Sequence, residues 1–358
     1  MAFPTTNLQR TATTSAVTAA FVFGPFLTAI AQAVPLTGAG ATFPEPLYQR
    51  YASEIKKVYP DLQINYQGIG SGGGIKQLTA GTVDFGASDT AMTNEEAAKV
   101  SRGVIYVPTA GGAVAVVYNL PGVNNLKLSR KTLPAIFSGQ ITRWNDSRIV
   151  ADNPGVRLPA QPIRLATRAD SSGTTFIFTN HLSAIDPYFK GRIGANKAPR
   201  WTRNSLKAKG NPGVAQIVKR TPGAVGYVES SFSKTNRLQT AQVQAKNGSY
   251  VAPTVQAANQ ALQAVQFDSD NRVDFTKLGD PANGYPITGL TWIMVYKQYA
   301  DPAKADSVKR MVQWILTRGQ ALNSSLEYTQ IPQSTANRVV QAVQSGVGVS
   351  TAATGSGR

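Results

Sequence analysis

The sequence predicts an α/β fold built on mostly parallel sheets and divided into two lobes. Three observations carry this. Continuous apolar runs such as Gly111-Gly112-Ala113-Val114-Ala115-Val116-Val117-Tyr118 alternate with stretches of helical period, the pattern of strands covered on both faces. Glycine- and hydroxyl-rich turns repeatedly follow a strand and open a helix. The chain has 358 residues, 42% of them hydrophobic, which suits two lobes better than one.

The first residues read as a leader. Arg10 supplies a positive n-region, Ala16 to Ile30 is apolar and small, and Ala31-Gln32-Ala33 is an A-x-A cleavage site. Residues 1–33 are expected to be a secretory signal cut near Ala33, so that the mature chain starts near Val34. Pro25 and the short length argue against a membrane anchor.

Leu36-Thr37 begins the first strand, with Gly38-Ala39-Gly40 expected as a tight turn. Thr42-Phe43-Pro44-Glu45 then opens a helix with Thr42 as N-cap, Pro44 and Pro46 being tolerated in a first turn. Thr42 and Glu45 match a capping box, an ordinary reason for both residues. Leu47, Tyr51, Ile55 and Val58 recur at helical spacing and should be buried, and Pro60 stops the helix. Leu62 to Tyr66 alternates as a strand, followed by glycine-rich Gly68 to Gly74 and a helix from Ile75. Thr82 to Ser88 reads as a strand ending in Asp89, Met92 to Val100 as a helix, and Val104 to Pro108 and Gly111 to Tyr118 as two more strands.

The region beyond is richer in turns. Ser129 to Phe137 reads as a helix, Ile141 to Asp146 as a short element with Trp144 in the core, and Pro154 to Pro162 as a connector. Ile163 to Thr167 is a strand, and Phe176-Ile177-Phe178 is the buried side of a starting helix. Residues 190–211 are basic and polar and read as an exposed loop. Val214 to Val218 is helical and Ala224 to Val228 a strand, whereas 234–285 shows no clear period. Thr291 to Tyr296 is a late strand, Asp306 to Leu316 and Thr335 to Val343 are helices, and the Gly/Ser-rich stretch 346–358 is expected to be disordered.

Composition removes several function classes. Without cysteine there are no disulfides, thiolate metal sites, cysteine nucleophile or lipid-anchoring cysteine, and with His181 as the one histidine no zinc site is expected. The net charge of +17 suggests nucleic acid at first. The basic residues are scattered, however, and lack interleaved aromatics to stack on bases. An exported chain seldom meets nucleic acid, so steering of an anion or adhesion to an acidic envelope surface fits better than nucleic acid, and a plain solvated basic surface with no specific partner is the simplest reading of all.

Chemistry concentrates in Arg168-Ala169-Asp170-Ser171-Ser172-Gly173-Thr174-Thr175. Ser172, Gly173 and Thr174 fall at a helix N-terminus, where N–H groups lack partners and the dipole is positive. Two hydroxyls and a glycine that permits close approach make an anion cradle. Arg168 adds a positive fork, which Asp170 is placed to hold. Ordinary Ser/Asp capping is the competing explanation. Thr42-Phe43 and Ser71 stand at two further helix starts after strands. Three N-termini at the carboxyl ends of strands suit a small tetrahedral oxyanion.

Asp89 narrows the anion. A carboxylate beside an anion repels it unless the ligand carries a proton. Phosphate keeps a proton near neutral pH and sulfate does not, so an ionised Asp89 would select phosphate by rejecting sulfate. The alternative is that Asp89 caps the helix near Thr93-Asn94, or a turn.

Enzyme readings fare less well. Gly68, Gly70 and Gly73 satisfy G-x-G-x-x-G with Asp89 beyond, a weak dinucleotide pattern set against an exported chain. His181 lies nine residues beyond Ser172 on one helix, about 13 Å along it at ~1.5 Å per residue, too far to activate that hydroxyl. No G-x-S-x-G is present. Asp84 and Asp89 flank one strand at odd spacing and point to opposite faces.

The stretches Thr37-Gly38-Ala39-Gly40-Ala41-Thr42-Phe43-Pro44, Asn65-Tyr66-Gln67-Gly68-Ile69-Gly70-Ser71, Val83-Asp84-Phe85-Gly86-Ala87-Ser88-Asp89, Arg168 to Thr174, and Pro222 to Glu229 together resemble the periplasmic phosphate-binding proteins of high-affinity phosphate importers (PstS type). The resemblance runs in order over almost the whole mature chain. It implies a two-lobe, venus-flytrap fold of the class II periplasmic binding type. It also implies that Thr42, Phe43, Ser71, Asp89, Arg168, Ser172, Gly173 and Thr174 contact phosphate, Phe43 and Gly173 through backbone N–H, with Asp170 orienting Arg168. Glu45, in the first turn beside the anion site, must then point away from it. The expected lobes are 34–109 plus 286–345, and 110–285.

On this reading the chain is an exported, monomeric periplasmic receptor, not an enzyme, with no cofactor, metal or nucleic acid. It takes inorganic phosphate and delivers it to the membrane permease subunits of a phosphate ABC importer. The competing expectation is an exported phosphatase-like enzyme of the same fold, or, further off, a dinucleotide oxidoreductase.

Overall fold

The computed structural model describes residues 1, 2, 4, 34–202 and 204–350. Nearly all of the expected signal sequence, and residues 351–358 of the expected tail, lie outside them.

The chain runs through β1 (Val34–Gly40), α1 (Glu45–Val58), β2 (Leu62–Gly68), α2 (Ser71–Ala80), β3 (Phe85–Ser88), α3 (Asn94–Ala98) and the long β4 (Val104–Tyr118). It continues through β5 (Lys127–Leu128), α4 (Thr132–Phe137), α5 (Ser147–Asp152), β6 (Arg164–Arg168), α6 (Gly173–Ile185), α7 (Pro187–Arg192), β7 (Leu206–Ala208), α8 (Gly210–Arg220), β8 (Ala224–Glu229) and α9 (Ser230–Thr235). Short strands β9 (Gln239–Thr240), β10 (Gln242–Gln244) and β11 (Tyr250–Val251) lead to α10 (Val255–Leu262) and α11 (Phe275–Leu278). The last part holds β12 (Thr288–Tyr296), β13 (Gln298–Tyr299), α12 (Pro302–Leu316), α13 (Gln333–Gly346) and β14 (Gly348–Val349).

The main sheet has the order β2-β1-β3-β12-β4-β8-β6-β7, with β9 also on β4. Its flanks are parallel: β1 pairs with β2 and β3, and β6 with β7 and β8. Its centre is antiparallel, β12 against β3 and β4, and β4 against β8. The expectation of mostly parallel sheet therefore holds at the flanks and fails at the centre. The central strands β3, β8 and β12 are buried on both faces, parallel and antiparallel alike, so their apolar patterning carried no information on direction.

β4 joins the two halves. Val104 to Ala113 pairs with β12 and Val114 to Tyr118 with β8. The two strands expected at 104–108 and 111–118 are one. Pro108, which has no N–H to give the ladder, lies beside a register shift that leaves Thr109 unpaired. Val114, Val116 and Tyr118 pack in the larger core, while Ala115 and Val117 pack with Val214, Val218 and Phe232 in a smaller one. That two-sided burial is why the run is apolar without alternation.

Other expectations are corrected. Gly38-Ala39-Gly40 is not a turn but the end of β1. Gly38 lies under the Phe85 ring, and Gly40, at φ +154, lies against the Ala87 carbonyl. Val58 is 40% exposed because α1 ends there, beyond the reach of the core that buries Leu47, Tyr51 and Ile55. α2 begins at Ser71, four residues before Ile75, so Gly72 to Gly74 form its first turn. The 190–211 stretch is no simple loop. It contains part of α7 and all of β7, and buried Trp201 packs against Phe137 and Tyr227. Residues 346–350 are ordered: Val347 is buried and β14 pairs with β13. Trp144 is in the core as expected, its Nε1–H donating to the Gly223 carbonyl at 3.0 Å.

Candidate functional site

The parallel strands of both halves end at the same place. Gly40, Gly68 and Ser88 close β1, β2 and β3, and Arg168 closes β6. The polar residues that follow them bond to one another.

Ser71 opens α2 and is fully buried. Its Oγ accepts from Gly173 N–H at 3.1 Å and from Asp89 N–H at 3.2 Å. With both lone pairs engaged, the Ser71 hydrogen is left to donate, and Asp89 Oδ2 lies at 3.4 Å. Gly173 is held so close that a Cβ there would lie 2.5 Å from Asp89 Oδ2 and from Ser71 Oγ. The glycine at this helix start does permit close approach, here of Asp89 and Ser71.

Asp89 is 1% exposed, and its Oδ1 accepts from the Thr291 hydroxyl at 2.8 Å. Burial pushes its pKa up to about 7, against the pull of Thr291, Arg168 and Ser71. It does not cap α3. Thr93 does, in a capping box with Glu96 at 3.1 and 2.9 Å. The capping alternative for Asp89 is thereby removed.

Arg168 is buried and forked onto Asp170, Nε to Oδ1 at 2.9 Å and Nη2 to Oδ2 at 2.5 Å. Asp170 Oδ1 also accepts from Gly210 N–H at 3.0 Å. Burial works to raise the Asp170 pKa, but Arg168 and Gly210 outweigh it and hold the carboxyl below its usual range. Arg168 Nη1 is buried with no partner, a charged donor left for something else to satisfy.

Ser172 is the N-cap of α6, its Oγ accepting from Thr175 N–H at 3.0 Å, so the ordinary capping role is real. Thr42 is no cap, and the expected capping box with Glu45 does not form: α1 starts after Pro44, without a side-chain cap. Thr42 turns instead to Asn211, whose backbone N–H and Nδ2 both donate to its Oγ1 at 3.0 Å. The same Nδ2 donates to Thr174 Oγ1 at 3.2 Å. Phe43 is buried with its ring edge-on to Tyr328, and its carbonyl accepts from the Tyr328 hydroxyl at 2.7 Å. Glu45 lies over Gly68, and burial raises its pKa although Gly68 and Arg168 pull it down.

Sequence reading missed four residues here: Asn211, Thr291, Glu229 in its structural role, and Tyr328. Asn211 was hidden in the basic stretch read as loop. The signal that finds it is the one used elsewhere: Gly210-Asn211 follows a strand and opens a helix. Buried Glu229 closes β8 and caps α9 through Ser231, and its Oε2 lies 3.0 Å from the Tyr328 hydroxyl. Burial raises its pKa to about 8 although the Ser231 donors oppose it.

The competing chemistries find little support. The glycine pattern at 68–73 is packed by this chain itself, Gly70 against Asp170 and Gly72 against Ser171. His181 is buried on α6, its Nδ1 bonded to the Gly279 carbonyl at 2.8 Å and its pKa lowered by burial to about 4. Among the described residues no group of three or more His, Asp or Glu side chains is placed to hold a metal.

A family model described as a PBP superfamily domain matches residues 10–318. The phosphate-binding protein PstS of Haemophilus influenzae is 37% identical over 84% of this chain and 90% of its own length. That of Xylella fastidiosa is 34% identical over 86% of this chain and 84% of its own. Among solved structures, a high-affinity periplasmic phosphate-binding protein bound with phosphate superposes with a TM-score of 0.74 at 22% identity, over 86% of this chain and 94% of its own. A phosphate-binding protein from Stenotrophomonas maltophilia gives 0.69 at 21%, with the same coverage. These likenesses carry the two-lobe fold, and with the sequence matches they show that the chain belongs to the PstS phosphate-binding proteins of the PBP superfamily.

Proposed function

We propose that this chain captures inorganic phosphate between its two lobes and delivers it to the permease subunits of a phosphate ABC importer. The observation that carries the reading is the buried, forked Arg168 with an unpartnered Nη1, set in a cluster of helix starts that also holds the buried acid Asp89. Arg168, the hydroxyls of Thr42, Ser172 and Thr174, and the N–H of Phe43 supply donors, and the Ser71 hydroxyl and the Gly173 N–H, which here donate to Asp89 and to Ser71, exchange those partners for the anion on binding. Asp89 supplies the acceptor, and Asp170 keeps Arg168 in place. A tetrahedral oxyanion that shares one proton with Asp89 satisfies every group, and phosphate is such an anion. The raised Asp89 pKa refines the expectation of a simply ionised acid. Near pH 7 the pair of Asp89 and phosphate has a proton to share from either side.

Lobe one is residues 34–109 plus 286–349, extended from 345 because β14 pairs with β13, and lobe two is 110–285. The change of β4 from β12 to β8 supports a division near this strand. The protein acts as an exported, periplasmic, monomeric receptor without cofactor and without enzymatic turnover. No helix among the described residues is long and apolar enough to cross a membrane. N-terminal sequencing of protein released by envelope washing should begin near Val34.

Calorimetric titration with phosphate and sulfate, after stripping bound ligand by unfolding and refolding, tests the function. Tight saturable phosphate binding with sulfate rejected is expected. Equal affinity for both, or hydrolysis of phosphate esters by metal-free protein, would overturn the reading.

A further inference from the structure

Asn211 occupies a place that the phosphate contacts alone do not explain. It is fully buried at the start of α8, and every polar atom it points inward is used. Its Oδ1 accepts from Glu229 N–H at 3.0 Å. A backbone N–H can only donate, so this bond fixes which end of the amide is oxygen. Nδ2 must then face the other way, where it donates to Thr42 Oγ1 and Thr174 Oγ1 at 3.0 and 3.2 Å.

The consequence is a one-way polarity. A hydroxyl has one hydrogen and two lone pairs. Thr42 Oγ1 accepts twice from Asn211, through Nδ2 and through the backbone N–H, so its lone pairs are consumed and its hydrogen is left to donate. Thr174 Oγ1, facing an N–H that has no lone pair to offer, cannot donate in that direction either. The order runs from Glu229 N–H, through the Asn211 amide, to two threonine hydroxyls that come from opposite halves of the sheet.

We propose that Asn211 is a positioning residue that sets the Thr42 and Thr174 hydroxyls as donors toward the bound anion, acting on phosphate only through them. This rests on the phosphate reading above. Without Asn211 each hydroxyl is free to rotate and to present a lone pair, which repels an anion, so part of the binding energy goes into turning it.

The test is a double-mutant cycle. Asn211→Ala is made in the wild type and in the Thr42→Val/Thr174→Val background, and phosphate dissociation constants are measured by calorimetry on stripped protein. In the wild type Asn211→Ala should weaken phosphate binding roughly ten- to a hundredfold. In the valine background, with no hydroxyl left to orient, the same change should cost only a small part of that factor. If Asn211→Ala does not fold, Asn211→Leu replaces it in the cycle: it keeps the branched side-chain shape, adds no charge and has no amide to orient either hydroxyl, and its loss must likewise shrink in the valine background. An equal loss in the two backgrounds would make Asn211 a structural residue of α8 and overturn the proposal alone. Wild type that fails to bind phosphate would overturn both this proposal and the functional reading.

Discussion

Thr291 donates its hydroxyl hydrogen to Asp89 Oδ1 at 2.8 Å, joining residues 202 positions apart in the chain. The bond holds one carboxylate oxygen against β12 and leaves Oδ2 beside Ser71 and Gly173. Asp89 is thus a fixed acceptor among donors, and its charge disfavours a fully deprotonated ligand.

Asp89→Asn keeps the shape but removes that charge and offers an N–H. Phosphate affinity should hold or fall modestly, while sulfate gains, so the two converge by on the order of 1–3 kcal/mol. Paired titrations at one pH and ionic strength check this. Sulfate rejected as strongly as in wild type would move discrimination elsewhere.

The pKa of about 7 for Asp89 also has a consequence for stability. The folded value lies above the unfolded one, so the folded chain binds the extra proton between about pH 4 and pH 7. Stability from this group falls as pH rises through that window, and the cost of the buried charge is fully present above it. In phosphate-free buffer at pH 8, Asp89→Asn should therefore be more stable than wild type, by up to about 4 kcal/mol at about 1.4 kcal/mol per pH unit, with the gap closing toward pH 4. Urea unfolding across this range measures it. Glu229 titrates alike in both proteins and cancels in the difference.

Arg168→Ala removes the buried fork and leaves Asp170 with Gly210 alone. Phosphate binding should weaken by several kcal/mol, in the range of about 2–5 for a buried hydrogen-bonded charge, with the far-ultraviolet dichroism unchanged. An unaltered dissociation constant would take Arg168 out of the site.

Gly173→Ala places a methyl group 2.5 Å from Asp89 Oδ2 and Ser71 Oγ. Both belong to a packed, buried cluster, so α6 must move away from α2 and the Gly173–Ser71 bond is lost. A destabilisation of about 1–3 kcal/mol and the loss of most phosphate affinity are expected. Thermal unfolding and titration together check it, and a variant that binds like wild type would show that the two helix starts need not meet.

Much of the site could be read before the fold. Arg168, Asp170, Ser172 and Gly173 are close in sequence, and local rules for helix starts and charged forks apply to them directly. Such rules cannot say which of several partners a group takes. Thr42 satisfies a capping box on paper, yet it bonds to Asn211, 169 residues away. The sequence by itself determined the alternation of buried strands and helices, the glycine and hydroxyl turns at the strand ends, and the lack of cysteine chemistry, because these follow from composition and short-range geometry. The tertiary structure decided that β4 is one strand shared by two halves, that β12 runs antiparallel in the centre, and that Thr291, Asn211 and Tyr328 bond to Asp89, Thr42 and Phe43. Those outcomes depend on contacts between residues about a hundred or more positions apart, whose burial and hydrogen-bond partners exist only once the sheet has formed.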